Sequence, residues 1–487
     1  MSEDKANRPK ARLPRGFRDR TAAEIAAEGR MLDAIARVYA RYGFDALETP
    51  AFEYTDALGK FLPDTDRPNE GVFSLKDDDG QWMSLRYDLT APLARYVAEN
   101  FQALPKPFRR YQMGTVWRNE KPGPGRYREF TQCDADTVGS AAPACDAELM
   151  MMFADAMDAV GLNRGECVIK VNSRKLLDGV MEAARIDPAK RGIVLRAIDK
   201  LDRLGLPGVS ALLGTGRKDE SGDFTKGAEL APDQITRVMD FVSAGGSDAG
   251  IEGVARAVCG SETGTQAMSE LSSIMAIVDT CGYKRDRIAL DAGIVRGLDY
   301  YTGPVFEAQL TFPAQNEAGE TVVMGSVGGG GRYDDLVARF TGQQVPACGF
   351  SVGVSRLLSV LRHREALAAA DPLVVVLMLD RAEAAASFAL AHMLRAAGIR
   401  AEAYVGEAGM KAQLKYCDKR GAAFAVIEGS DERARGEVTI KDLALGAELA
   451  KGVESRAAWV EERPAQQSVP RDALVENLRT MIRARAG

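Results

Sequence analysis

The sequence predicts an α+β protein in which an antiparallel-sheet domain is interrupted by a helical insertion and followed by a smaller α/β domain. Three observations lead there. Strand-like runs dominate residues 82–138 with sparse helices between them, the mark of an antiparallel sheet. From about 186 to 284 the composition turns helical and rich in alanine, leucine and serine, and strands resume at Ile288 and again near Val322. Beyond Asp371-Pro372, continuous apolar strands alternate with helices, as in a sheet covered on both faces. At 487 residues the chain has room for roughly two to four domains with separate cores.

In order along the chain, Thr21-Ala-Ala-Glu24 forms a capping box, and Ile25, Met31, Leu32, Ile35, Val38, Tyr39 and Tyr42 follow at helical spacing until Gly43. Residues 46–54 read as a strand interrupted by Pro50, which cannot donate to a ladder and belongs at an edge, where a subunit partner can sit. Strands are expected at 82–86, 108–118 and 127–138, the last two joined by Asn119-Glu-Lys-Pro-Gly-Pro-Gly, a stiff exposed hairpin loop. Helices follow near 145–160 and 173–185. The helical insertion carries no chemical motif and a turn-like break at Gly245 and Gly246. After residue 371 come a strand at 373–379, a helix at 381–397, a strand at 399–405, a helix at 411–420, a strand at 422–427 and a last amphipathic helix with Leu474, Leu478, Met481 and Ile482 in phase. The expected boundaries are 1–185 with 285–368 for the split sheet domain, 186–284 for the insertion, 371–465 for a small parallel α/β domain and 466–487 for the terminal helix.

Composition narrows the chemistry. A net charge of −6 argues against broad nonspecific nucleic-acid binding, although Lys106, Arg109, Arg110, Arg118, Lys121, Arg126 and Arg128 cluster against Glu120 alone, a patch suited to phosphates or simply a solvated face. Seven cysteines without a C-x-x-C pair indicate neither a disulfide framework nor a zinc site. With only two histidines, His363 and His392, His-based metal sites and His-centred triads are not expected. The polar N-terminus has no apolar signal core and nowhere do about 18 apolar residues run together, so a cytoplasmic protein with no membrane span is expected.

Four segments carry polar chemistry in unusual places. Residues 291–302 hold Arg296, Asp299, Tyr300 and Tyr301 at strand-like spacing, polar on both faces, as in the wall of a pocket for an anionic ligand. Arg118 and Glu120 alternate into the Pro-Gly hairpin, and Arg126, Arg128 and Phe130 alternate out of it; they form either a cross-strand ion-pair ladder or a clamp for a triphosphate with a stacking ring, Glu120 accepting from an amine or helping hold a metal. Gly328 to Gly331 matches no phosphate-loop spacing and is either a tight turn or bulge, or a close approach of backbone to ligand. At the strand-to-helix turn of residues 350–358, Arg356 either faces water or stacks on a ring ligand, and Asp88 with Thr90 suffices as a helix N-cap pair.

Taken together, these segments resemble the class II aminoacyl-tRNA synthetases and, within them, the histidine-specific group, across nearly the whole chain. Arg118 to Phe130 is similar to the family's second motif, Gly349 to Leu358 to its third, and the first helix through Pro50 to its first. Arg296-Gly-Leu-Asp-Tyr-Tyr and Gly328-Gly-Gly-Gly-Arg-Tyr-Asp resemble segments peculiar to the histidine enzymes, and the C-terminal α/β unit resembles their anticodon-binding domain. The resemblance implies activation of histidine by ATP with Mg²⁺, transfer to the 3′ end of histidine tRNA, and a homodimer. It implies that Asp88, Thr90 and Gln132 hold the amino-acid ammonium and that Asp136 and Tyr301, with Tyr300, border the imidazole. Arg118 and Arg296 would flank the α-phosphate as catalytic arginines, Arg296 also touching histidine. Arg126 would meet the γ-phosphate, and Phe130 and Arg356 would sandwich adenine, with Glu120 alongside. No protein metal site is implied.

Two departures from the usual motifs carry expectations. Lys121 and Gly123 stand where the bacterial hairpin commonly has arginine and glutamine, which implies tolerance of a tRNA lacking the extra 5′ guanosine. Ser355 replaces a usual glutamate and would leave Arg356 without its local partner. The competing reading is a histidine-binding regulatory paralog serving an ATP phosphoribosyltransferase; such paralogs resemble the catalytic domain alone and commonly lose the key arginine, whereas this chain keeps Arg296 and a terminal α/β domain.

Overall fold

The structure, a computed structural model, describes residues 10–61, 71–123, 126–218, 223–244, 248–294, 301–315, 321–322, 325–361, 371–449 and 465–486. The chain divides into two compact units, Met1–Ala368 and Ala369–Gly487.

The first unit begins with α1 (Ala22–Arg41), whose capping box forms as the sequence predicts, the Thr21 backbone N–H donating to Glu24 at 2.9 Å. The expected strand around Pro50 is in fact two strands in different sheets: β1 (Asp45–Ala46) and β2 (Phe52–Tyr54). Pro50 breaks the ladder between them. β2 joins β3 (Ser74–Lys76) and β4 (Trp82–Leu85) in a small sheet ordered β2-β4-β3. Next come α2 (Thr90–Glu99), β5 (Phe108–Trp117), β6 (Glu129–Val138), α3 (Pro143–Ala159), β7 (Cys167–Ser173) and α4 (Arg174–Ala183).

The helical stretch holds α5 (Arg191–Ile198), α6 (Leu201–Leu213), α7 (Pro232–Val242), α8 (Asp248–Ala257) and α9 (Glu262–Thr280), with an unforeseen ribbon of β8 (Gly216–Lys218) and β9 (Phe224–Lys226) after α6. Gly245 and Gly246 lie outside the described residues. Buried side chains of this stretch, including Val238, Phe241, Leu271 and Ile274, are continuous with the apolar core beneath the main sheet. Strands resume with β10 (Ile288–Leu290), β11 (Pro304–Leu310), the short pair β12 (Ala314–Gln315) and β13 (Thr321–Val322), and β14 (Ser326–Arg332); α10 (Ala338–Thr341), β15 (Ala347–Gly353) and α11 (Val354–Leu361) complete the unit.

The main sheet runs β1-β5-β6-β15-β14-β11-β7-β10. It is antiparallel throughout its middle and parallel at its two edges, where β1 lies on β5 and β10 on β7. The glycine run is not a turn: Gly328 to Gly331 form the interior of β14, and the register slips just before them, where Ala308 pairs with Gly328 and Gln309 with Ser326, leaving Val327 as an extra residue on β14. Because side chains alternate, each strand of this sheet has two chemistries. Cys133, Ala135, Phe350, Val352 and Phe306 point to one face and pack on α1 and α3, where Phe350 stacks on Phe153 at 4.4 Å between ring centres and meets Tyr39 edge-on at 5.6 Å. The other face carries Gln132, Asp134, Asp136, Ser351 and Gly349 in one register.

The second unit is mixed rather than purely parallel. β16 (Val374–Val376), β17 (Ala401–Ala403) and β18 (Phe424–Ile427) are parallel as expected, but β19 (Glu437–Asp442) and β20 (Gln466–Pro470) extend the sheet antiparallel. Their alternation of polar and apolar residues was too weak to read beside the continuous apolar runs. Helices Ala384–Ala396, Met410–Arg420 and Leu474–Ala486 cover it.

Candidate active site

The polar face of β6 sets out Phe130, Gln132, Asp134 and Asp136 in a row. Asp136 pairs across the ladder with Arg110, whose Nη2 lies 2.9 Å from Oδ2, both side chains being essentially excluded from solvent. The Tyr333 hydroxyl donates to the other carboxylate oxygen. Burial pushes the Asp136 carboxyl up, against the opposing pull of Arg110 and Tyr333. Its neighbour on β15 is Gly349, and a Cβ there would fall 1.9 Å from Asp136 Oδ1, so no other residue fits. Beyond it, the Tyr301 ring covers Gly331 so closely that a Cβ would sit 2.8 Å from Cδ1. Burial raises the Tyr301 phenol, and Asp134 and Asp136 are among the charges that hold it up. Tyr301 and Asp136 therefore border one pocket.

Arg110 corrects the reading of a basic surface patch. Alternation along β5 sends Arg110 to the polar face and into the Asp136 pair, whereas Arg109 turns to the opposite face, pairs with Glu148 and lies 5.2 Å from the Phe44 ring centre. Of that cluster, the exposed members are Lys121 and Arg126 at the hairpin and Lys106 before β5.

Asp88 caps α2 as its spacing suggests, Oδ1 accepting from the backbone N–H of Thr90 at 3.2 Å and of Ala91 at 2.9 Å. Burial raises its carboxyl, Arg118 lowers it and Asp136 raises it, so Asp88 faces the same space as both. Between Gln132 and Asp136, Asp134 is 2% exposed and its carboxyl is pushed up to about 7, chiefly by burial and then by Asp136. Gln132 donates through Nε2 to Ser351 Oγ at 2.6 Å.

At the hairpin, the Arg118 backbone N–H donates to Arg128 O at 2.8 Å, closing the base of the loop. Arg118 Nε donates to Tyr87 O at 3.1 Å, and its guanidinium lies 5.2 Å from the Phe130 ring centre. Arg126 pairs with Glu120, and Arg128 Nε donates to Glu120 O at 2.9 Å. The expectation that Ser355 leaves Arg356 without a local partner is overturned: Arg356 Nη1 donates to Ser326 O at 2.7 Å. Ser355 Oγ turns the other way and accepts from Thr131 N at 3.4 Å.

Arg296 and Tyr300 lie outside the described residues. The described ends of their segment are anchored to the sheet: Asn172 Nδ2 donates to Ile294 O at 2.8 Å and to Ala292 O at 3.1 Å, and Thr302 N donates to Arg332 O at 2.7 Å. The structure thus brings Gln132 and Asp136 to the polar face of β6, with Tyr301 beside Asp136 across Gly331 and Gly349, Asp88 with Thr90 at the start of α2, and Arg118 and Phe130 at the hairpin side. Sequence reasoning missed Arg110, Asp134, Ser351 and Tyr333. The period-two run Gln132-Cys-Asp-Ala-Asp136 held the signal for Asp134, since it must share the face of its neighbours.

Comparison with known proteins gives the same picture for both units. Residues 16–357 match the family model described as histidyl-tRNA synthetase, and residues 373–481 match that of an anticodon binding domain. The chain is 57% identical over 481 residues to the histidine–tRNA ligase of Caulobacter vibrioides, covering 98% of this chain and 97% of that protein. It is 56% identical over 502 residues to that of Methylocella silvestris, covering both in full. Among solved structures, a histidyl-tRNA synthetase from a Nostoc species superposes with a TM-score of 0.73 at 29% identity, over 97% of this chain and 100% of that one. A Bacillus halodurans protein titled an ATP phosphoribosyltransferase regulatory subunit/histidyl-tRNA synthetase shares the fold, with a TM-score of 0.67 at 22% identity, over 84% of this chain and 97% of that one.

Proposed function

The chain belongs to the histidyl-tRNA synthetase family, and from that premise we propose how its residues activate histidine with ATP and pass it to histidine tRNA. The full-length relatives favour the ligase over the phosphoribosyltransferase-regulator reading, because they match both the synthetase body and the terminal domain. The observation that supports the site assignment is that Tyr301 covers Gly331, whose β15 partner Gly349 lies against Asp136, with Asp88 and Arg118 near enough to bear on each other's charge.

In this reading Asp88, Thr90 and Gln132 receive the ammonium of histidine. Asp136 and Tyr301, with Tyr300 beside them, read the ring nitrogens; a buried acid and phenol reject side chains that leave them unpaired. Phe130 and Arg356 hold adenine between them, Glu120 borders it, and Arg126 meets the γ-phosphate once it exchanges Glu120 for the nucleotide. The histidine carboxylate attacks the α-phosphorus in line, an O–P bond forms, the bond to the β-phosphate oxygen breaks, and pyrophosphate leaves. Arg118 and Arg296 offset the charge that builds on the phosphoryl oxygens. Were Mg²⁺ to accompany the triphosphate, Glu120 would be the hairpin carboxylate to help hold it, and the ion would supply charge neutralisation. The tRNA terminal ribose hydroxyl then attacks the histidyl carbonyl carbon and AMP departs. Positioning carries both steps.

The coarser architecture supports the remaining roles. Residues 186–284 are read as an insertion within a catalytic domain formed by 1–185 and 285–368, and 371–465 with the helix of 466–487 as the anticodon-binding part. A homodimer is supported by the outer face of the small sheet, where Phe52, Tyr54 and Leu75 are 43%, 56% and 44% exposed beside Met83. Among the described residues no helix is long and apolar enough to cross a membrane. A cytoplasmic location is proposed because the substrate is tRNA. Lys121 and Gly123 at the hairpin tip support charging of a tRNA without the extra 5′ guanosine.

Histidine-dependent exchange of pyrophosphate into ATP tests the assignment. Wild-type exchange that falls by roughly a hundredfold or more in Arg118→Ala and in Arg296→Ala is expected. No exchange by the wild type at saturating histidine and Mg²⁺ would refute it.

A further inference from the structure

Gln132 carries an unpartnered acceptor inside the pocket. The residue is 7% exposed and its Oε1 has no hydrogen-bond partner, whereas Nε2 donates to Ser351 Oγ at 2.6 Å and reaches Asp134 Oδ1 at 3.5 Å. Ser351 stands opposite Asp134 in the β15–β6 register, and its hydroxyl lowers the Asp134 carboxyl against the rise that burial causes. Above about pH 7 the Asp134 carboxyl is ionised and only accepts, so a serine hydroxyl facing it spends its proton there and its lone pair on the glutamine NH₂. The chain of donors has one direction: Gln132 to Ser351 to Asp134. It commits the amide NH₂ to Ser351 and Asp134 and leaves Oε1 without a donor.

We propose that Asp134 and Ser351 are positioning residues that fix the polarity of the Gln132 amide, so that its Oε1 accepts from the α-ammonium of histidine. A buried carbonyl without a donor marks a place a donor is meant to fill. The acids around it, Asp88, Asp134 and Asp136, favour a cationic one. With the amide reversed, its NH₂ would meet the ammonium donor to donor and the contact would be lost. This inference rests on the histidine-activating reading above, but fails separately from it: wild-type exchange decides that reading, and ratios among variants decide this one.

The experiment is steady-state pyrophosphate exchange with histidine and ATP varied independently. Asp134→Asn gives the side chain an NH₂ of its own and removes the direction of the chain. It is expected to raise the KM for histidine roughly tenfold to a hundredfold, the worth of a hydrogen bond to a charged group, with a much smaller change in kcat and in the KM for ATP. Ser351→Ala should act in the same direction, and the double variant should be no worse than Asp134→Asn, because both break one relay. Gln132→Glu in the Asp134→Asn background should recover much of the lost affinity, since a carboxylate presents an acceptor either way round. An unchanged histidine KM in Asp134→Asn, an equal rise in the ATP KM, additive losses in the double variant, or a further loss on adding Gln132→Glu would each overturn the proposal. KM does not depend on the fraction of active protein, and Ser351→Ala supplies the same readout should Asp134→Asn fold poorly.

Discussion

The two faces of β6 and β15 are built from the same residues in alternation and do opposite work. Toward α1 and α3, Cys133, Ala135, Phe350 and Val352 are closed in by apolar rings. Toward the pocket, Gln132, Asp134 and Asp136 are buried and Ser351 is half-buried, and they carry charge and unpaired polar atoms. Burial stabilises the first set and burdens the second, as the raised carboxyls of Asp134 and Asp136 record. The lesson is that depth in the fold does not distinguish a structural residue from a binding one; the sign of its contribution to stability does.

That contrast can be broken by substitutions on either side. The largest expected effect is on the apolar face. Phe350→Ala removes a ring stacked on Phe153 and touching Tyr39, and should destabilise the first unit by about 3–5 kcal/mol in denaturant titrations, while the folded fraction keeps its KM for histidine. A raised histidine KM with little loss of stability would show that the faces are not separable.

The next effect has the opposite sign. The carboxyl of Asp134 faces Asp136 on its own strand, Arg110 on β5, Ser351 on β15 and Asp88 before α2, and burial pushes it up to about 7, from an ordinary value of 3.8. The folded protein therefore holds a proton that the unfolded chain releases, so between those values stability falls as pH rises. Asp134→Asn escapes that cost. It should be more stable than the wild type at pH 8 by on the order of 1–3 kcal/mol, with the gain fading toward pH 4, as read from midpoints of urea unfolding. A variant less stable than wild type at pH 8 would count against a strained acid.

A smaller effect belongs to the hairpin side. Arg356→Ala should raise the KM for ATP by roughly tenfold and leave that for histidine nearly unchanged. Equal changes in both would place Arg356 in the general scaffold.

How much of this was legible follows from the same alternation. The capping box, the hairpin and the strand-to-helix turn at Gly353 could be read because each has a local signal. So could Asp136 and Tyr301, through resemblance. The interior strand of four glycines could not, since glycine run together normally signals a turn; what makes it a strand is the lack of room against Tyr301 and β15, a tertiary fact. Arg110 was misread as surface because its partner Asp136 lies on another strand. Ser351 looked like any strand serine until the register set it opposite Asp134.

The central claim is that the polar face of β6 is the histidine pocket, and the most direct measurement is the pair of KM values, for histidine and for ATP, of Asp136→Asn in pyrophosphate exchange. The account predicts that histidine KM rises by roughly a hundredfold or more while ATP KM stays within about threefold, since a buried acid that reads a ring nitrogen is lost and the nucleotide side is untouched. An unchanged histidine KM, or a change that falls mainly on ATP, would contradict it.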